Sequence, residues 1–333
     1  MKTICTIFVV FAIAALIPAG TTGREISKDY NESFDVSKGA ILRLDHGDGD
    51  VTIMPWDKDV IEVTIRYRAD LTSVGIGVDP DFEAEFKQDG NVVHVRGREK
   101  SSGIIGYQYY NEYEYTYTIN APPYTELDFR GDDGSVSIED WHGAIECELD
   151  DGDITLNRID SPEIRLEFED GDVEIEDCSG ELFARGEDGD IDISNCNTSL
   201  CRLELEDGDI KIKSGRGDYE ISLEDGDLDM FHVKGRMIDI SVSDGNVDIS
   251  LLKGEDIEVD INTDDGDVTL ALEKGISASY RVDTSDGKIR IDLPSAQRER
   301  EDDDWASGEL GSGKGRISIE TDDGRVILKE FKK

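Results

Sequence analysis

The sequence predicts an all-β protein: a parallel β-solenoid (β-helix) with two-strand coils of 18–21 residues and an irregular β cap at its N-terminal end. Three observations predict this fold class. The dipeptide Asp-Gly recurs at a nearly constant spacing, apolar and polar residues alternate on both sides of it, and the 333-residue chain contains 34 glycines but only 7 prolines. A fixed period near 20 residues is typical of stacked structural repeats.

The Asp-Gly spacing is regular over the second half of the chain. From Gly134 onward, successive glycines of this dipeptide are separated by 18, 19, 18, 19, 18, 19, 21, 21 and 37 residues. Such an interval accommodates two short strands and two turns, whereas a propeller blade needs four strands in about 40 residues. The last interval holds either a hidden repeat or an insertion.

Apolar residues occupy fixed positions around each of these glycines. After Gly208, Ile210 and Ile212 stand two and four residues on, with polar residues between them. Before the same glycine, Cys201 and Leu203 stand at seven and five residues. This alternation predicts two strands per repeat with one face inward. Coils stacked about 4.8 Å apart would align the inward residues in continuous ladders.

Three segments differ from the repeat. Residues 1–23 combine Lys2, an apolar run and small residues, which is the pattern of a signal peptide, and the run is too short to span a bilayer. Residues 24–130 contain longer alternating stretches and are predicted to form the N-terminal β cap. Residues 131–333 are predicted to form the solenoid repeats, with a polar, mobile insertion at about 294–314 before the final coil.

The chain is strongly acidic, with 78 Asp and Glu residues against 35 Lys and Arg and a formal net charge of −43. This charge excludes a protein built to bind nucleic acid and opposes docking on anionic lipid. We see no second apolar stretch, so we expect no membrane insertion after the signal peptide is cleaved. Acidity of this kind also fits adaptation to high salt, and the sequence leaves that alternative open.

Aspartates surround the turn glycines, both before and after them. Stacked coils would bring these like charges about 4.8 Å apart, and a calcium ion, which prefers oxygen ligands, would relieve their repulsion. The residues in the column after the glycine form a speculative calcium ladder: Asp153, Asp172, Asp190, Asp209 and Asp227. In the alternative interpretation, the aspartate before each glycine caps the turn and the other acids are solvated. The repetition singles out no carboxylate pair for acid–base catalysis.

Four of the five cysteines remain once the signal peptide is removed. Cys178 and Cys196 each stand seven residues after a turn glycine, in the same phase one coil apart, so their Cα atoms should lie within disulfide range. Export makes a bridge between them plausible; the alternative is two free thiols. Cys147 and Cys201 occupy inward columns and are predicted to be core residues.

One aromatic stretch precedes the repeats. Tyr113, Tyr115 and Tyr117 share one face of a predicted strand, and Tyr107, Tyr109 and Tyr110 come just before them. Burial would make these rings part of the N-terminal cap, whereas exposure would make them a platform for sugars or a partner. The histidines form no metal-binding or catalytic motif.

Several turn motifs resemble a known family. The opening stretch 39–44, followed by Gly49-Asp50-Val51-Thr52-Ile53 and Trp56, the middle stretch 119–123 with residues 127–138, and the closing stretch 311–315 with 321–324 are similar to the putative-adhesin family of bacterial β-strand-repeat domains. The resemblance covers most of the mature chain. It implies a β-helical fold and a surface or envelope setting, and it supplies no catalytic motif.

These features predict an exported, non-enzymatic, adhesin-like module that is periplasmic, cell-surface or secreted. Its partner would be a surface, glycan or protein ligand, and its only cofactor would be weakly bound Ca²⁺. Two alternatives remain, a self-assembling envelope scaffold and a polysaccharide-processing β-helix enzyme. The enzyme would need a break in the repeats with a cleft, basic residues and aromatic platforms, which the regular, acidic sequence opposes.

Overall fold

A computed structural model describes residues 21–77, 81–100, 104–302 and 304–332. This part of the chain is all-β and contains no helix. The predicted signal peptide lies outside the described residues except for its last three, which begin the first strand at Thr21. No helix long and apolar enough to cross a membrane is found within those ranges.

The strands alternate between long segments near the N-terminus and short segments in the repeats. Those up to residue 139 are β1 (Thr21–Asp35), β2 (Ile41–Asp48), β3 (Asp50–Pro55), β4 (Val60–Gly77), β5 (Asp81–Asp89), β6 (Val92–Lys100), β7 (Ile104–Ala121), β8 (Glu126–Asp133) and β9 (Val136–Glu139). The following strands are β10 (Ile145–Asp151), β11 (Ile154–Asn157), β12 (Asp160–Asp170), β13 (Val173–Glu176), β14 (Ser179–Asp188), β15 (Ile191–Ser194), β16 (Asn197–Asp207), β17 (Ile210–Lys213), β18 (Arg216–Asp225) and β19 (Leu228–Val233). The last are β20 (Met237–Asp244), β21 (Val247–Leu251), β22 (Glu258–Asp265), β23 (Val268–Glu273), β24 (Ala278–Thr284), β25 (Lys288–Asp292), β26 (Ala296–Glu301), β27 (Trp305–Leu310), β28 (Gly315–Asp323) and β29 (Arg325–Phe331).

The described strands form two large sheets. The first sheet has 14 strands in the order β1-β4-β7-β3-β9-β11-β13-β15-β17-β19-β21-β23-β29-β25. The second has 15 strands in the order β26-β27-β24-β28-β22-β20-β18-β16-β14-β12-β10-β8-β2-β6-β5. In the repeats the chain passes from a strand of the second sheet through the Asp-Gly turn to a strand of the first. The predicted all-β, mostly parallel, solenoid-like architecture is therefore confirmed.

The register between neighbouring strands aligns equivalent residues of successive repeats. In the first sheet Ile191 is the partner of Ile210, and Ile210 is the partner of Leu228. All three side chains are completely buried between the two sheets. Each apolar column of the repeat is thus one continuous ladder, and burying its surface is the main source of the stability of the stack.

The order of the coils in the stack differs from their order in the chain at both ends. At the N-terminal end, β6 and β7 lie outside β2 and β3, although they follow them in sequence. At the C-terminal end, β28 and β29 insert between β22/β23 and the earlier pair β24/β25. The last coil in the sequence is therefore not the last coil in the stack.

Antiparallel strands cover both ends. At the N-terminal end, β4 pairs with β7, β1 with β4, and β5 with β6, so the predicted cap region contains two coils and their antiparallel cover. At the other end, β26 and β27 form a hairpin against β24, which shows that the 37-residue interval holds an insertion.

This hairpin corrects the expectation that residues 294–314 are a mobile insertion. The charged run 298–304 suggested a solvated loop, but the alternation that follows it forms strand β27. Ala306 and Leu310 on that strand are buried, and this burial anchors the segment to the end of the core.

Candidate functional site

The aspartates predicted to bind calcium form a hydrogen-bonded ladder. Asp190 Oδ1 accepts the backbone N–H of Asp209 at 2.9 Å, and Asp209 Oδ1 accepts that of Asp227 at 3.0 Å. Asp153 and Asp172 act in the same way toward the next coil, at 3.1 and 2.9 Å. We call these five residues the aspartate ladder. The carboxylates thus satisfy backbone donors at the turn edge.

The ladder already has cationic and polar partners. The Lys211 ammonium lies 3.5 Å from Asp190 and 3.3 Å from Asp209, between two adjacent coils. The hydrogen bond from the Asp227 amide is the main cause of the lowered pKa of Asp209. No group of three or more His, Cys, Asp or Glu side chains that could hold a metal ion occurs among the described residues. Calcium binding by this column remains a prediction.

A second acidic column lies beside the ladder, made of the aspartates that precede the turn glycines. Asp151, Asp170 and Asp188 are aligned on neighbouring strands. Partial desolvation and repulsion from Asp170 raise the pKa of both Asp151 and Asp188. The charges of Asp150 and Glu187 likewise raise the pKa of Glu169. One edge of the solenoid is therefore a dense band of mutually repelling carboxylates.

Cys178 and Cys196 are brought together on adjacent coils, as their phase predicts. Both are buried free thiols, and the Cys178 amide donates to Cys196 Sγ at 3.3 Å. The hydrogen bond between the two thiols raises the pKa of Cys178 and lowers that of Cys196, so Cys196 is the thiol that more readily forms the reactive thiolate. The disulfide remains a prediction. Mapping of unreduced peptides would recover the two as one linked species, and alkylation of both thiols in the native protein would exclude the bridge.

The tyrosine stretch mainly packs the N-terminal cap. Tyr115 and Tyr117 are buried with their hydroxyls in contact, whereas Tyr113 is 42% exposed and donates to Glu99 Oε1 at 3.2 Å. The other two predicted core residues, Cys147 and Cys201, are also buried. The side chains of Tyr107, Tyr109 and Tyr110 lie outside the described part. Tyr115 and Tyr117 therefore cannot form an exposed platform for a ligand, because both side chains are buried.

A different aromatic cluster is exposed on the outer face of the first sheet. Phe231 on β19 is 56% exposed, more than Met54 or Tyr113, the other large apolar side chains exposed among the described residues. Its ring centroid lies 4.0 Å from that of His232, which lies 6.0 Å from that of Phe331 on β29. We call these three side chains the aromatic row.

The aromatic row lines a groove of about 500 Å³, here called the aromatic groove. Between β19 and β29, strands β21 and β23 present small outward side chains, among them Ser250, Thr269 and Ala271. Small residues there leave space that larger ones would fill. His232 has a φ of +56°, in the left-handed region. It is the last of the non-glycine residues that adopt this conformation at equivalent positions of successive coils, after Asn195 and Ser214. Opposite it, the pairing of β19 with β21 shifts between Met230 and Val233. The groove therefore lies where the regular repeat changes.

Charged side chains surround the aromatic row. Lys211 and Lys213 come from β17 and Lys329 from β29, while Asp229 and Asp248 come from β19 and β21. Desolvation, then the charge of Asp248, raise the pKa of Asp229. Lys213 lies 3.8 Å from Asp192, and Lys329 has no ion pair with a described residue. The groove thus combines an apolar surface with both cationic donors and anionic acceptors.

A larger concave surface of about 950 Å³ lies on the second sheet near the N-terminus. Its arginines are already paired with carboxylates. Arg43 lies 3.0 Å from Asp128, and Arg96 lies 3.2 Å from Asp45. The aromatic groove is the stronger candidate for a binding site, because it contains Phe231, the most exposed large apolar side chain among the described residues.

The family of the chain follows from a comparison of its repeats with known domains. Residues 41–260 and, overlapping them, residues 189–329 match the family model described as Toastrack DUF4097. The chain belongs to the Toastrack DUF4097 family. The resemblance to the putative-adhesin repeat domains, inferred from the turn motifs, is confirmed.

Two solved structures are similar to this Toastrack chain. A putative cell adhesion protein from Clostridium sporogenes is 13% identical, and the match covers 91% of this chain and all of that one with a TM-score of 0.19. A putative adhesin from Bacteroides fragilis is 12% identical, with 91% and 97% coverage and a TM-score of 0.34. No curated protein matches the chain.

The groove of this Toastrack domain was not predicted from the sequence. Phe231 occupies an outward position of the repeat, and the equivalent residue one coil earlier is Lys213. An apolar residue at a position that is charged in the preceding coil was the feature of the sequence that could have indicated the site. Phe331 is a hundred residues further along the chain. Its proximity to His232 depends on the insertion of β29 next to β23, which the repeat spacing does not reveal.

Proposed function

We propose that this chain is an exported, non-enzymatic, adhesin-like interaction module that binds its partner through the aromatic groove. The setting would be periplasmic, cell-surface or secreted. The pattern of residues 1–23 supports export. The observation that carries the proposal is the exposed aromatic row, set in a groove where the repeat changes.

The energetics favour a partner at this position. A large aromatic side chain can bury 150–250 Å² in an interface, worth roughly 25 cal/mol per Å² of apolar area. The row is fixed to strands of a continuously hydrogen-bonded sheet, so little conformational entropy would be lost when a ligand binds. Aromatic residues at the centre of a polar rim are the usual composition of a binding hot spot.

One observation favours the polysaccharide-processing enzyme as a second candidate. Asp229 and Asp248 are register partners on adjacent strands, and the pKa of Asp229 is raised. Two neighbouring carboxylates can act on a glycosidic bond when one of them has a raised pKa and serves as the acid. Shortening of a bound polysaccharide, and its loss in Asp229→Asn, would identify this activity.

Self-assembly through the ends of the stack has less support. Antiparallel strands cover the end coils except at β25, which is a short edge strand and carries Lys288, Arg290 and Asp292. The other edge strands are β1, β5 and β26, and all three belong to the antiparallel covers. Short, charged edges disfavour pairing with another chain. If analytical ultracentrifugation shows that the protein is monomeric at all concentrations, the self-assembling scaffold is excluded.

The proposal is tested by binding of the purified chain to bacterial envelope fractions and to a glycan array. We expect Phe231→Ala to weaken binding by about tenfold or more, as expected for loss of a hot-spot residue. The matched control is Met54→Ala, which removes another exposed apolar side chain, 40% exposed, from the same sheet. Equal binding by both variants and the unchanged protein would refute the proposed site. Their melting temperatures verify that both variants are folded.

A further inference from the structure

We infer that Asp89 is a site of spontaneous isoaspartate formation, and that the stacking of the coils protects the Asp-Gly turns of the repeats from the same reaction. This inference goes beyond the proposed function and does not depend on it. Asp89 ends β5 at the turn to β6, in the second sheet, whereas the aromatic groove lies on the first sheet.

The reaction joins the side chain of an aspartate to the next backbone nitrogen. That nitrogen attacks Cγ, a C–N bond forms, the amide loses its proton, and one carboxyl oxygen leaves as water, which gives a succinimide. Water then opens the ring: attack at the main-chain carbonyl leaves the chain running through Cγ, as isoaspartate, and attack at Cγ restores aspartate. Asp-Gly reacts most readily because glycine has no side chain to hinder its own nitrogen. Water is the only co-reactant.

The repeats hold the nitrogen that would have to react. The chain contains 12 Asp-Gly dipeptides, all within the described residues. In nine of them the glycine N–H donates to the aspartate carbonyl oxygen of the next coil in the stack, at 2.8–3.2 Å: Gly49, Gly134, Gly152, Gly171, Gly189, Gly208, Gly226, Gly245 and Gly266. For such a nitrogen to reach Cγ, its peptide plane must turn away from the acceptor, and this hydrogen bond must break.

Three Asp-Gly turns lack this hydrogen bond, because the N–H groups of Gly90, Gly287 and Gly324 donate to no described residue. Two of them are still enclosed by neighbouring coils. A Cβ atom built on Gly287 would lie 1.8 Å from the oxygen of Gly324, and one built on Gly324 would lie 2.0 Å from that of Gly266. A Cβ built on Gly90 would meet nothing within 4 Å, and the Asp89 side chain is 79% exposed. Asp89 therefore combines a free neighbouring nitrogen with space for the ring to form.

The contacts of this turn leave the two reacting atoms free. Gln88 Nε2 donates to the carbonyl oxygen of Gly90 at 3.1 Å, and Asn91 Nδ2 donates to that of Ser37 at 2.9 Å. Neither bond involves the Gly90 nitrogen or the Asp89 carboxylate. Isoaspartate lengthens the backbone by one CH₂ group, which would displace both contacts and loosen the β5–β6 hairpin from the segment between β1 and β2.

The chemistry of the carboxyl groups alone predicts a different order of reaction. A protonated carboxyl is the better electrophile, because its oxygen leaves as water. Partial desolvation and repulsion from Asp170 raise the pKa of Asp151 and Asp188, which favours reaction in the stacked turns. Protection of the glycine nitrogen predicts the opposite order, with Asp89 ahead of Asp188.

The test is isoaspartate mapping after the folded protein has been incubated for several weeks at near-neutral pH. Isoaspartate is detected by labelling with an isoaspartyl methyltransferase and is located by peptide mass spectrometry. The same incubation in denaturant is the control, because no turn is then protected by the stack. We expect Asp89 and Asp188 to react at similar rates in denaturant. Folding should slow Asp188 by about a hundredfold or more, since its reaction then needs local opening of the stack, but should slow Asp89 by less than about tenfold.

Asp89→Glu is the matched variant, because it keeps the negative charge while the larger ring that glutamate would form closes much less readily. It should remove most of the methyltransferase labelling of the folded protein. The position is exposed, so a melting temperature close to that of the unchanged protein is expected. Unchanged labelling of the folded Asp89→Glu variant, equal slowing of Asp89 and Asp188 by folding, or no isoaspartate at Asp89 in the folded protein when the denatured control forms it, overturns the inference.

Discussion

The turn glycines are packed directly against one another. At Gly189 the φ angle is +128°, and a Cβ atom built there would lie 2.2 Å from the carbonyl oxygen of Gly171 in the neighbouring coil. That distance is far below van der Waals contact. Glycine is therefore required at this position for two reasons, its backbone conformation and the close approach of the next coil.

Comparing the stability of Gly189→Ala with that of Gly39→Ala should separate the cost of the backbone conformation from the cost of the steric clash with the neighbouring coil. Gly39 also has a positive φ, +82°, but an added Cβ would meet nothing within 4 Å. We expect a loss of about 3 kcal/mol at Gly189 and about 1 kcal/mol at Gly39, measured by thermal or denaturant unfolding. Equal losses would mean that the backbone conformation alone accounts for the turn glycine.

The second corner of each coil places ordinary residues in the left-handed region. Asp177, Asn195 and Ser214 have φ angles of +54°, +56° and +57° at equivalent positions. A side chain in this conformation costs roughly 1–2 kcal/mol relative to the right-handed region, except where Asn or Asp offsets it locally.

Ser214→Gly should therefore stabilise the protein, by about 0.5 kcal/mol once the greater entropy of glycine in the unfolded chain is included. The control is Ser222→Gly, at an exposed position on β18, where the same change should destabilise by about 0.5–1 kcal/mol. Effects of the same sign at both positions in chemical denaturation would contradict the strain argument.

At the scale of the element, hydrogen bonds from side chain to backbone join the turns of successive coils. The aspartate ladder continues at Asn246. Its backbone N–H donates to Asp227 Oδ1, and its side-chain Oδ1 accepts the backbone N–H of Asp267 at 3.1 Å. An amide oxygen therefore performs the same function as a carboxylate. The requirement in this column is an acceptor at the right distance, and a negative charge is not needed.

Asp190→Asn and Asp190→Ala distinguish the acceptor from the charge. Both remove one negative charge and the contact with Lys211, but only Ala leaves the Asp209 amide without its acceptor. We expect Asn to be at least as stable as Asp, and Ala to be less stable than Asn by about 1 kcal/mol. Equal melting temperatures for the two variants would show that the ladder hydrogen bond contributes nothing.

At the scale of the whole molecule, the carboxylate band makes stability depend on pH. Several acids at the turn edge, including Asp151, Glu169 and Asp188, have raised pKa values in the folded protein. A raised carboxyl pKa means that the folded state binds protons more readily than the unfolded state. Stability is then gained as the pH falls from above the folded pKa toward the unfolded value near 4.

We therefore expect the melting temperature to rise as the pH is lowered from 7 to about 5, and to rise less in high NaCl, which screens the repulsion. Asp140 and Asp209 have lowered pKa values, so their contribution is lost only at lower pH, on further acidification. A melting temperature that falls steadily between pH 7 and 5 would contradict this account.

Calcium tests the remaining prediction for the same edge. Because Lys211 lies between Asp190 and Asp209, we expect millimolar CaCl₂ to raise the melting temperature no more than NaCl of equal ionic strength. A specific rise that shrinks when Asp190, Asp209 and Asp227 are changed to Asn would show that the aspartate ladder binds the ion, since a ligand selective for the folded state stabilises it.

The repeated unit of this protein can be read from its amino-acid sequence. The Asp-Gly period and the alternation around Ile210 and Ile212 depend on local backbone requirements and on which side chains must be buried, and both repeat along the chain. Cys178 and Cys196 are in contact because they occupy the same position in adjacent repeats. A regular repeat makes such neighbours predictable because each coil contacts only the coils next to it.

The order of the coils at the two ends, the hairpin β26–β27 and the aromatic groove that this order creates depend on long-range packing. The sequence of a strand specifies that it will pair and which face it buries, but many strands of this chain have nearly equivalent edges. Which edge it joins depends on the packing of the whole stack. Phe331 lies near His232 because β29 pairs with β23, and no local pattern predicts this contact between residues far apart in the sequence.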